Sequence, residues 1–296
     1  MSDLILVLVA DPTRSPLERT VVAEAARIVR GAPRWLAEGE AAELPIAREP
    51  AEALAAIQIM FEGLPIDAVA VPAIGREKRV LVSDLDSTMI TVECIDELAD
   101  LVGLKAEVAR ITQRAMNGEL VFEAALRERV ALLAGLPEAV FEQVWQQRIR
   151  LMPGAIQLVR TLRARGATTA LVSGGFVPFA ERARAAIGFD HAFANQLEVE
   201  GGQLTGRLLE PICGPADKLA VLNQLAAEAG LPMSATLAVG DGANDLPMLE
   251  AAGLGVAFRG HPNVAGRAPV SIRHGDLTAL LFLQGIARSE FAAAPT

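Results

Sequence analysis

Apolar and polar positions alternate along the chain in two regimes. Residues 4–10 form an apolar run of strand length, 15–29 carry helical spacing, 34–44 are weakly extended, 50–61 are helical again and 66–71 alternate as a strand. This predicts a small N-terminal α/β domain over 1–75, bounded by the polar stretch Gly75 to Arg79. Immediately beyond it, Val80-Leu81-Val82 is a short run of the kind found in strands buried on both faces. From 93 to about 149 only helical signals occur, over 95–102, 105–116, 122–133 and 138–148, punctuated by Gly103, Asn117-Gly118 and Gly135. After Met152-Pro153-Gly154 the alternation of strand and helix resumes. A helix runs to 165, a strand covers 168–172, a helix starts near 178 and a strand signal lies near 192–193. Alternating runs on either side of Gly201-Gly202 predict a hairpin, followed by helix 216–229, strand 236–239, helix 245–251, strand 255–258 and a last helix over 277–286. The predicted fold class is α/β: a doubly wound parallel sheet with a helical cap inserted after its first strand, preceded by the small N-terminal unit. The second domain spans 76–296, its core at about 76–92 and 151–290 and its cap at about 93–150.

Composition narrows the function. With 52% hydrophobic and 21% charged residues, the chain of 296 residues can bury a sizeable core and is not disordered. A net charge of −9 argues against a nucleic-acid surface, and no polybasic stretch offers a membrane anchor. An anionic substrate would therefore need locally placed cations. Cys94 and Cys213 lie far apart and form no Cys-x-x-Cys pair, which points to a reducing compartment and two small, inert thiols. The first residues lack a positively charged secretory start, and the run 4–10 is too short for a membrane span, so the expected location is cytoplasmic. His191, His261 and His274 are scattered without pairing, and no zinc site is expected from them.

The candidate chemistry sits at the predicted strand ends, where ligands bind in open parallel sheets. Asp84 and Asp86 follow the run 80–82; an isolated Asp-x-Asp is more often a solvated loop. Ser173-Gly174-Gly175 follows the strand over 168–172 and lets backbone N–H groups approach an anion, although a serine in a tight turn is the commoner meaning of that tripeptide. Lys218, one of three lysines, opens a predicted helix. Gly240-Asp241-Gly242-Ala243-Asn244-Asp245 repeats the strand-then-acid design. Together these suit phosphoryl transfer. Hard oxygen ligands such as Asp84 and Asp241 favour Mg²⁺, Lys218 offsets negative charge, Asp84 attacks phosphorus, Asp86 moves the proton, and Ser173 with nearby N–H groups holds the transferring oxygens.

These four ordered motifs resemble those of the haloacid dehalogenase-like superfamily. Asp84-Leu-Asp86-Ser-Thr with Glu93 and Cys94-Ile-Asp-Glu-Leu, and then Arg114-Ala-Met116-Asn-Gly-Glu-Leu-x-Phe122 and Arg129, are similar to the phosphoserine phosphatases within it, over about 78–283. The resemblance implies Mg²⁺-dependent hydrolysis of O-phospho-L-serine through an aspartyl-phosphate, as the last step of serine biosynthesis. It implies Asp84 as nucleophile and Asp86 as acid and base, with Mg²⁺ held by Asp84, Asp241 and the Asp86 carbonyl. Ser173, Gly174 and Lys218 would bind phosphate, with Asn244 close by and Asp245 orienting Lys218. In the cap, Glu93 would meet the substrate ammonium and Arg129 its carboxylate, while Met116 and Phe122 would close the pocket. Read alone, Met116 and Phe122 are equally core residues and Arg129 a surface charge. Another small phosphomonoester such as phosphothreonine is the enzymatic alternative, and a receiver-like phospho-accepting module is the alternative of another class. The N-terminal βαββαβ order resembles ACT-type regulatory domains, which leaves serine binding, homodimerisation or a plain structural appendage open.

Overall fold

A computed structural model describes residues 4–47, 49–116 and 119–293, Met116 through its backbone only. The N-terminal unit comprises β1 (Leu4–Ala10), α1 (Arg19–Val29), β2 (Arg34–Ala37), β3 (Ala41–Pro45), α2 (Pro50–Phe61) and β4 (Ile66–Pro72). Its sheet runs β2-β3-β1-β4 with β1 antiparallel to both neighbours, the split βαββαβ arrangement. The weak extended signal over 34–44 is thus a hairpin of two short strands. Period-two alternation sorts β1: Leu6, Leu8 and Ala10 pack with α1 and α2, whereas Val7 and Val9 join the cluster that contains Leu277 to Ile286. Polar contacts tie the same surfaces together. The Asp67 carboxylate of β4 accepts backbone N–H bonds from Arg273, His274 and Gly275 at 2.8, 2.9 and 2.8 Å. Arg76 reaches the Glu43 carboxylate at 2.7 Å and the carbonyls of Leu283 and Phe282 at 3.1 and 3.3 Å.

The cap follows β5 (Val80–Ser83) and consists of α3 (Cys94–Leu101), α4 (Lys105–Met116), α5 (Phe122–Ala131) and α6 (Val140–Gln147). Its entrance and exit pair with each other: Ile90 bridges Leu151, Thr91 N–H donates to the Arg150 carbonyl at 3.0 Å and Met152 N–H to that of Met89 at 2.9 Å. The insertion is therefore closed at its base, and the chain re-enters the core beside the point where it left.

Then come α7 (Ala155–Ala164), β6 (Thr168–Phe176), α8 (Val177–Ala183), β7 (His191–Asn195) and the hairpin of β8 (Leu197–Glu200) and β9 (Gln203–Leu208). These are followed by α9 (Pro215–Glu228), β10 (Thr236–Gly240), α10 (Leu246–Ala251), β11 (Leu254–Phe258), α11 (Pro262–Ala265), β12 (Val270–Ile272) and α12 (Ala279–Leu283). The six-stranded sheet runs β12-β11-β10-β5-β6-β7 and all its pairs are parallel. Leu81 points into the cluster with α7 and α12, and Val80 and Val82 into the one with α9 and α10, so β5 is covered on both faces as its apolar run requires. Strand order reverses between β5 and β10, which opens a crevice at their carboxyl ends.

Three details differ from the sequence reading. The strand at 168–172 continues to Phe176 through a register shift that carries Ser173 to Gly175. β12 is an additional strand of three residues, too short to show a period. The helix expected over 277–286 is only α12, ended by Gly285 at φ 79°. Among the described residues no helix is long and apolar enough to cross a membrane.

Candidate active site

The crevice holds the strand-end residues in one cavity of about 710 Å³. Asp84 leaves the end of β5 and Asp241 the end of β10, adjacent strands in register, so their carboxylates converge without any special turn. Lys218, on the second turn of α9, is 1% exposed and lies between two carboxylates, 2.6 Å from Asp84 Oδ1 and 2.5 Å from Asp245 Oδ1. α9 starts where Pro215 occupies its first turn and the Asp217 carboxylate reaches back to Gly214 N–H at 2.7 Å. Asp245 is fully buried, and its second oxygen accepts Gly242 N–H at 2.9 Å. A Cβ on Gly240 would lie 2.3 Å from Asp245 Cγ, so only glycine lets this carboxylate reach the lysine.

Asp86 opens the turn over 86–89. Its Oδ1 accepts the N–H of Cys94 at the start of α3, at 3.0 Å, and its Oδ2 lies 3.5 Å from Ser173 Oγ. Ser173 Oγ also accepts Gly175 N–H at 2.8 Å, and a Cβ on Gly175 would approach Asp86 Oδ2 to 2.8 Å, which explains the glycine there. Between the acid pair and the cap, Ser87 adopts the left-handed region at φ 55°, unusual for a residue with a side chain, and its hydroxyl donates to Glu93 Oε1 at 2.7 Å. The backbone reversal at Ser87 is what turns the chain from β5 toward the cap. Arg129 projects from α5 into the same cavity, donating to the Ala125 carbonyl at 3.2 Å and reaching Thr112 Oγ1 at 3.4 Å. Phe122 lays its ring against Gly174 and Gly214, 2.9 and 3.4 Å from where their Cβ atoms would be. The cap thereby touches both the Ser173 turn and the start of α9.

Electrostatics single out the same groups. Desolvation, reinforced by Asp245 and only partly countered by Lys218, raises the Asp84 carboxyl well above the usual range. Burial and then Glu93 push Asp86 up to about 7, and burial with the charge of Asp84 pushes Asp241 up to about 8. For Lys218, burial alone would favour the neutral amine, but Asp245 and Asp84 outweigh it and hold the ammonium charged. Asp84, Asp241 and Asp245 present oxygens within 4.8 Å of one another, a hard-oxygen set that could hold a metal ion. Both oxygens of Asp245 are engaged, by Lys218 and by Gly242 N–H, which leaves Asp84 and Asp241 as the better donors.

Of the site residues expected from sequence, the core set Asp84, Asp86, Ser173, Gly174, Lys218, Asp241, Asn244 and Asp245 lies together. Glu93, Phe122 and Arg129 face them from the cap. The Met116 side chain lies outside the described residues. Two partners carried no recognised signal. Buried Thr88 donates to Asp241 Oδ1 at 3.0 Å, and Cys94 serves through its backbone N–H rather than its thiol. Thr88 lies within the acidic motif and could have been noticed as a hydroxyl beside two carboxylates. His261 and Asn263 also line the cavity, brought there by the turn after β11.

The fold is that of a doubly wound α/β enzyme with a helical cap over the switch point of its sheet. The chain belongs to the haloacid dehalogenase-like hydrolase family, whose description matches residues 81–250. It is 44% identical over 226 residues to a phosphoserine phosphatase of Albidiferax ferrireducens, covering 75% of this chain and 95% of that protein. It is also 44% identical over 248 residues to a phosphoserine phosphatase of Streptomyces coelicolor, covering 84% of this chain but only 60% of the length of that relative. Among solved structures, a probable phosphoserine phosphatase from Vibrio cholerae superimposes with a TM-score of 0.78 at 32% identity, covering 98% of this chain and 88% of that one.

Proposed function

We propose that this chain hydrolyses O-phospho-L-serine to L-serine and phosphate, the last step of serine biosynthesis, with Mg²⁺ as cofactor. The observation that carries the reading is one cavity lined by Asp84, Asp86, Ser173 and Asp241 from the core and by Glu93 and Arg129 from the cap. A zwitterionic amino acid needs an anion and a cation for its ammonium and carboxylate, and its phosphate needs the cation and hydrogen-bond donors of the core.

In this reading Asp84 attacks phosphorus in line, the phosphorus–oxygen ester bond breaks and the serine alkoxide takes the proton of Asp86. Asp86 then accepts a proton from the water that attacks the aspartyl-phosphate, and phosphate leaves. A carboxyl near 7 is suited to both transfers at neutral pH. Lys218 neutralises charge on the phosphoryl oxygens and is oriented by Asp245; Ser173, Gly174 and Asn244 complete the phosphate contacts. Asp84, Asp241 and the Asp86 carbonyl would hold Mg²⁺, which when bound supplies charge compensation to carboxylates and phosphate. Phe122, seated between Gly174 and Gly214, excludes water from the phosphoryl end, and Met116 is assigned to the same closure.

The division at 75/76, with its core and cap segments, belongs to the same proposal. So does an ACT-like character for residues 1–75, supported by the βαββαβ order and the sheet order β2-β3-β1-β4. Serine binding or homodimerisation through that unit, and a cytoplasmic location, complete it; the location accords with two unpaired cysteines.

Phosphate release should be measured on phosphoserine, phosphothreonine, a sugar phosphate and a simple alkyl phosphate, with and without Mg²⁺ and with added L-serine. Phosphoserine is expected to be turned over best, and only with Mg²⁺; equal rates on the alkyl phosphate would reject the substrate assignment. Arg129→Ala is expected to lower kcat/KM on phosphoserine by about 10- to 100-fold, the worth of one charge-assisted hydrogen-bonded contact, and to leave the alkyl phosphate unaffected.

Metal and protons are also expected to compete. Asp86 and Asp241 have folded-state values near 7 and 8, above the ordinary 3.8, so the native protein holds protons that the unfolded chain has lost. Without Mg²⁺, the stability these groups contribute is fully present below about pH 4 and is lost as pH rises to about 8. Mg²⁺ stabilisation needs the carboxylates deprotonated and grows over the same interval. Thermal melts with EDTA and with Mg²⁺ should therefore diverge from pH 5.5 to pH 8.5; a gap that is constant with pH would contradict the carboxylate ligand set.

A further inference from the structure

Asn195 ends β7, is fully buried, and belongs to none of the roles above. Its carboxamide makes three hydrogen bonds. Nδ2 donates to the Gly174 carbonyl at 2.9 Å and to the Cys213 carbonyl at 2.9 Å, and Oδ1 accepts Cys213 N–H at 2.7 Å. These partners belong to two different segments that border the cavity. Gly174 is in the Ser173 turn; Cys213 immediately precedes Gly214 and Pro215, the start of the helix that carries Lys218.

The need for such a side chain follows from the β6–β7 pairing. Val172 pairs with Phe193 and the next pair is Phe176 with Asn195, so residues 173–175 bulge out of the ladder. The half-buried Gly174 carbonyl, freed from the ladder, finds another donor in the Asn195 amide. Between Asn195 and Cys213 the chain forms the β8–β9 hairpin, which grips the cap: Gly135 N–H donates to the Leu204 carbonyl at 2.8 Å, Leu204 N–H to that of Leu136 at 2.8 Å, and Glu138 N–H to that of Gly202 at 2.9 Å. The paired bonds to Cys213 close the base of this arm beside the start of α9.

We propose that Asn195 is a positioning residue for phosphoryl transfer, whose carboxamide sets the separation between the Ser173–Gly175 turn and the Lys218 helix. Only a carboxamide offers two donors and one acceptor at this length. Aspartate would lose both donors and face two carbonyls with its charge. The proposal rests on the phosphatase reading above.

Asn195→Asp and Asn195→Ala should be compared with the unmodified full chain in Mg²⁺ for phosphoserine turnover, inhibition by orthovanadate and inhibition by L-serine. Orthovanadate mimics the pentacoordinate phosphoryl group and contacts the core side, whereas L-serine binds away from Asn195, at the cap or at the N-terminal unit. Expected are a fall in kcat of about 10- to 100-fold, a similar weakening of vanadate inhibition, and unchanged inhibition by L-serine. A folded variant with unchanged kcat and vanadate inhibition overturns the proposal. Equal weakening of vanadate and L-serine also overturns it, because that is general loosening. Hydrogen exchange on the unmodified protein covers the case in which neither variant folds. Vanadate should protect peptides spanning 173–176 and 209–215 together, and protection confined to the first overturns the proposal. This last measurement needs no turnover, so a failure of the phosphoserine reading is told apart from a failure of the Asn195 assignment.

Discussion

Asp84→Asn is expected to abolish phosphoserine turnover, by at least about 10⁴-fold in kcat, and to leave the protein as stable as before or more so. The activity loss follows from replacing the attacking carboxylate with a poor nucleophile that cannot carry a phosphoryl group. The stability follows from charge. Asp84 is only 6% exposed, and burial together with the neighbouring Asp245 and Asp86 disfavours its ionised form more than Lys218 favours it. An isosteric amide removes that repulsion and can still accept a hydrogen bond from Lys218. Melting temperature and residual phosphate release, measured on the same preparation, check both halves. Full activity would remove the covalent mechanism, while a sharp fall in melting temperature would mean that the Asp84–Lys218 contact outweighs the repulsion.

Lys218→Met is expected to fail in the opposite way, losing activity and stability together. Methionine fills most of the volume but leaves Asp84 and Asp245 buried without their shared cation. Breaking a buried pair from one side costs about 3–5 kcal/mol. The transferring phosphoryl group also loses the charge that Lys218 would present, for which about 10²- to 10³-fold in kcat is the expected scale. The sign with pH is diagnostic. The carboxylates can escape the penalty by taking up protons, so the variant should lie closer to the unmodified protein at pH 5.5 than at pH 8. Denaturant unfolding at the two pH values measures the difference. A stability loss independent of pH would point to lost packing around the lysine stem rather than to stranded charge.

The contrast between these two substitutions reflects how the site was legible. Asp84, Asp86, Ser173, Gly174 and Asp241 stand at or just beyond the ends of apolar runs, and a parallel sheet brings such ends to one edge whatever the details of packing. Lys218 is harder, since a lysine in an early helical turn is ordinarily solvated. Its burial between two carboxylates comes from the docking of α9 against β5 and β6, which no local pattern encodes. The cap residues were less legible still. Phe122 is indistinguishable from a core aromatic until its ring is seen against Gly174 and Gly214. The hairpin over β8 and β9 was evident from its Gly201-Gly202 turn, yet its grip on 135–138 was not, because edge hydrogen bonding depends on which strand edge is left open.

What the sequence by itself determined is the alternation of strands and helices, the interruption by a helical cap and the set of candidate reacting groups. These rest on periods of two and 3.6 and on residue types whose chemistry is local. Only the tertiary structure decided which distant backbone groups the buried polar side chains satisfy. Thr88 reaches Asp241 across 153 positions, Asp67 gathers three N–H groups more than 200 positions away, and Asn195 joins the bulge at 173–175 to the start of the Lys218 helix. Hydropathy marks which face of a strand is buried, but a hydrogen bond also needs a partner at about 3 Å in a fixed direction. That partner exists only once the sheet order, the bulge at 173–175 and the seating of the N-terminal unit have been set.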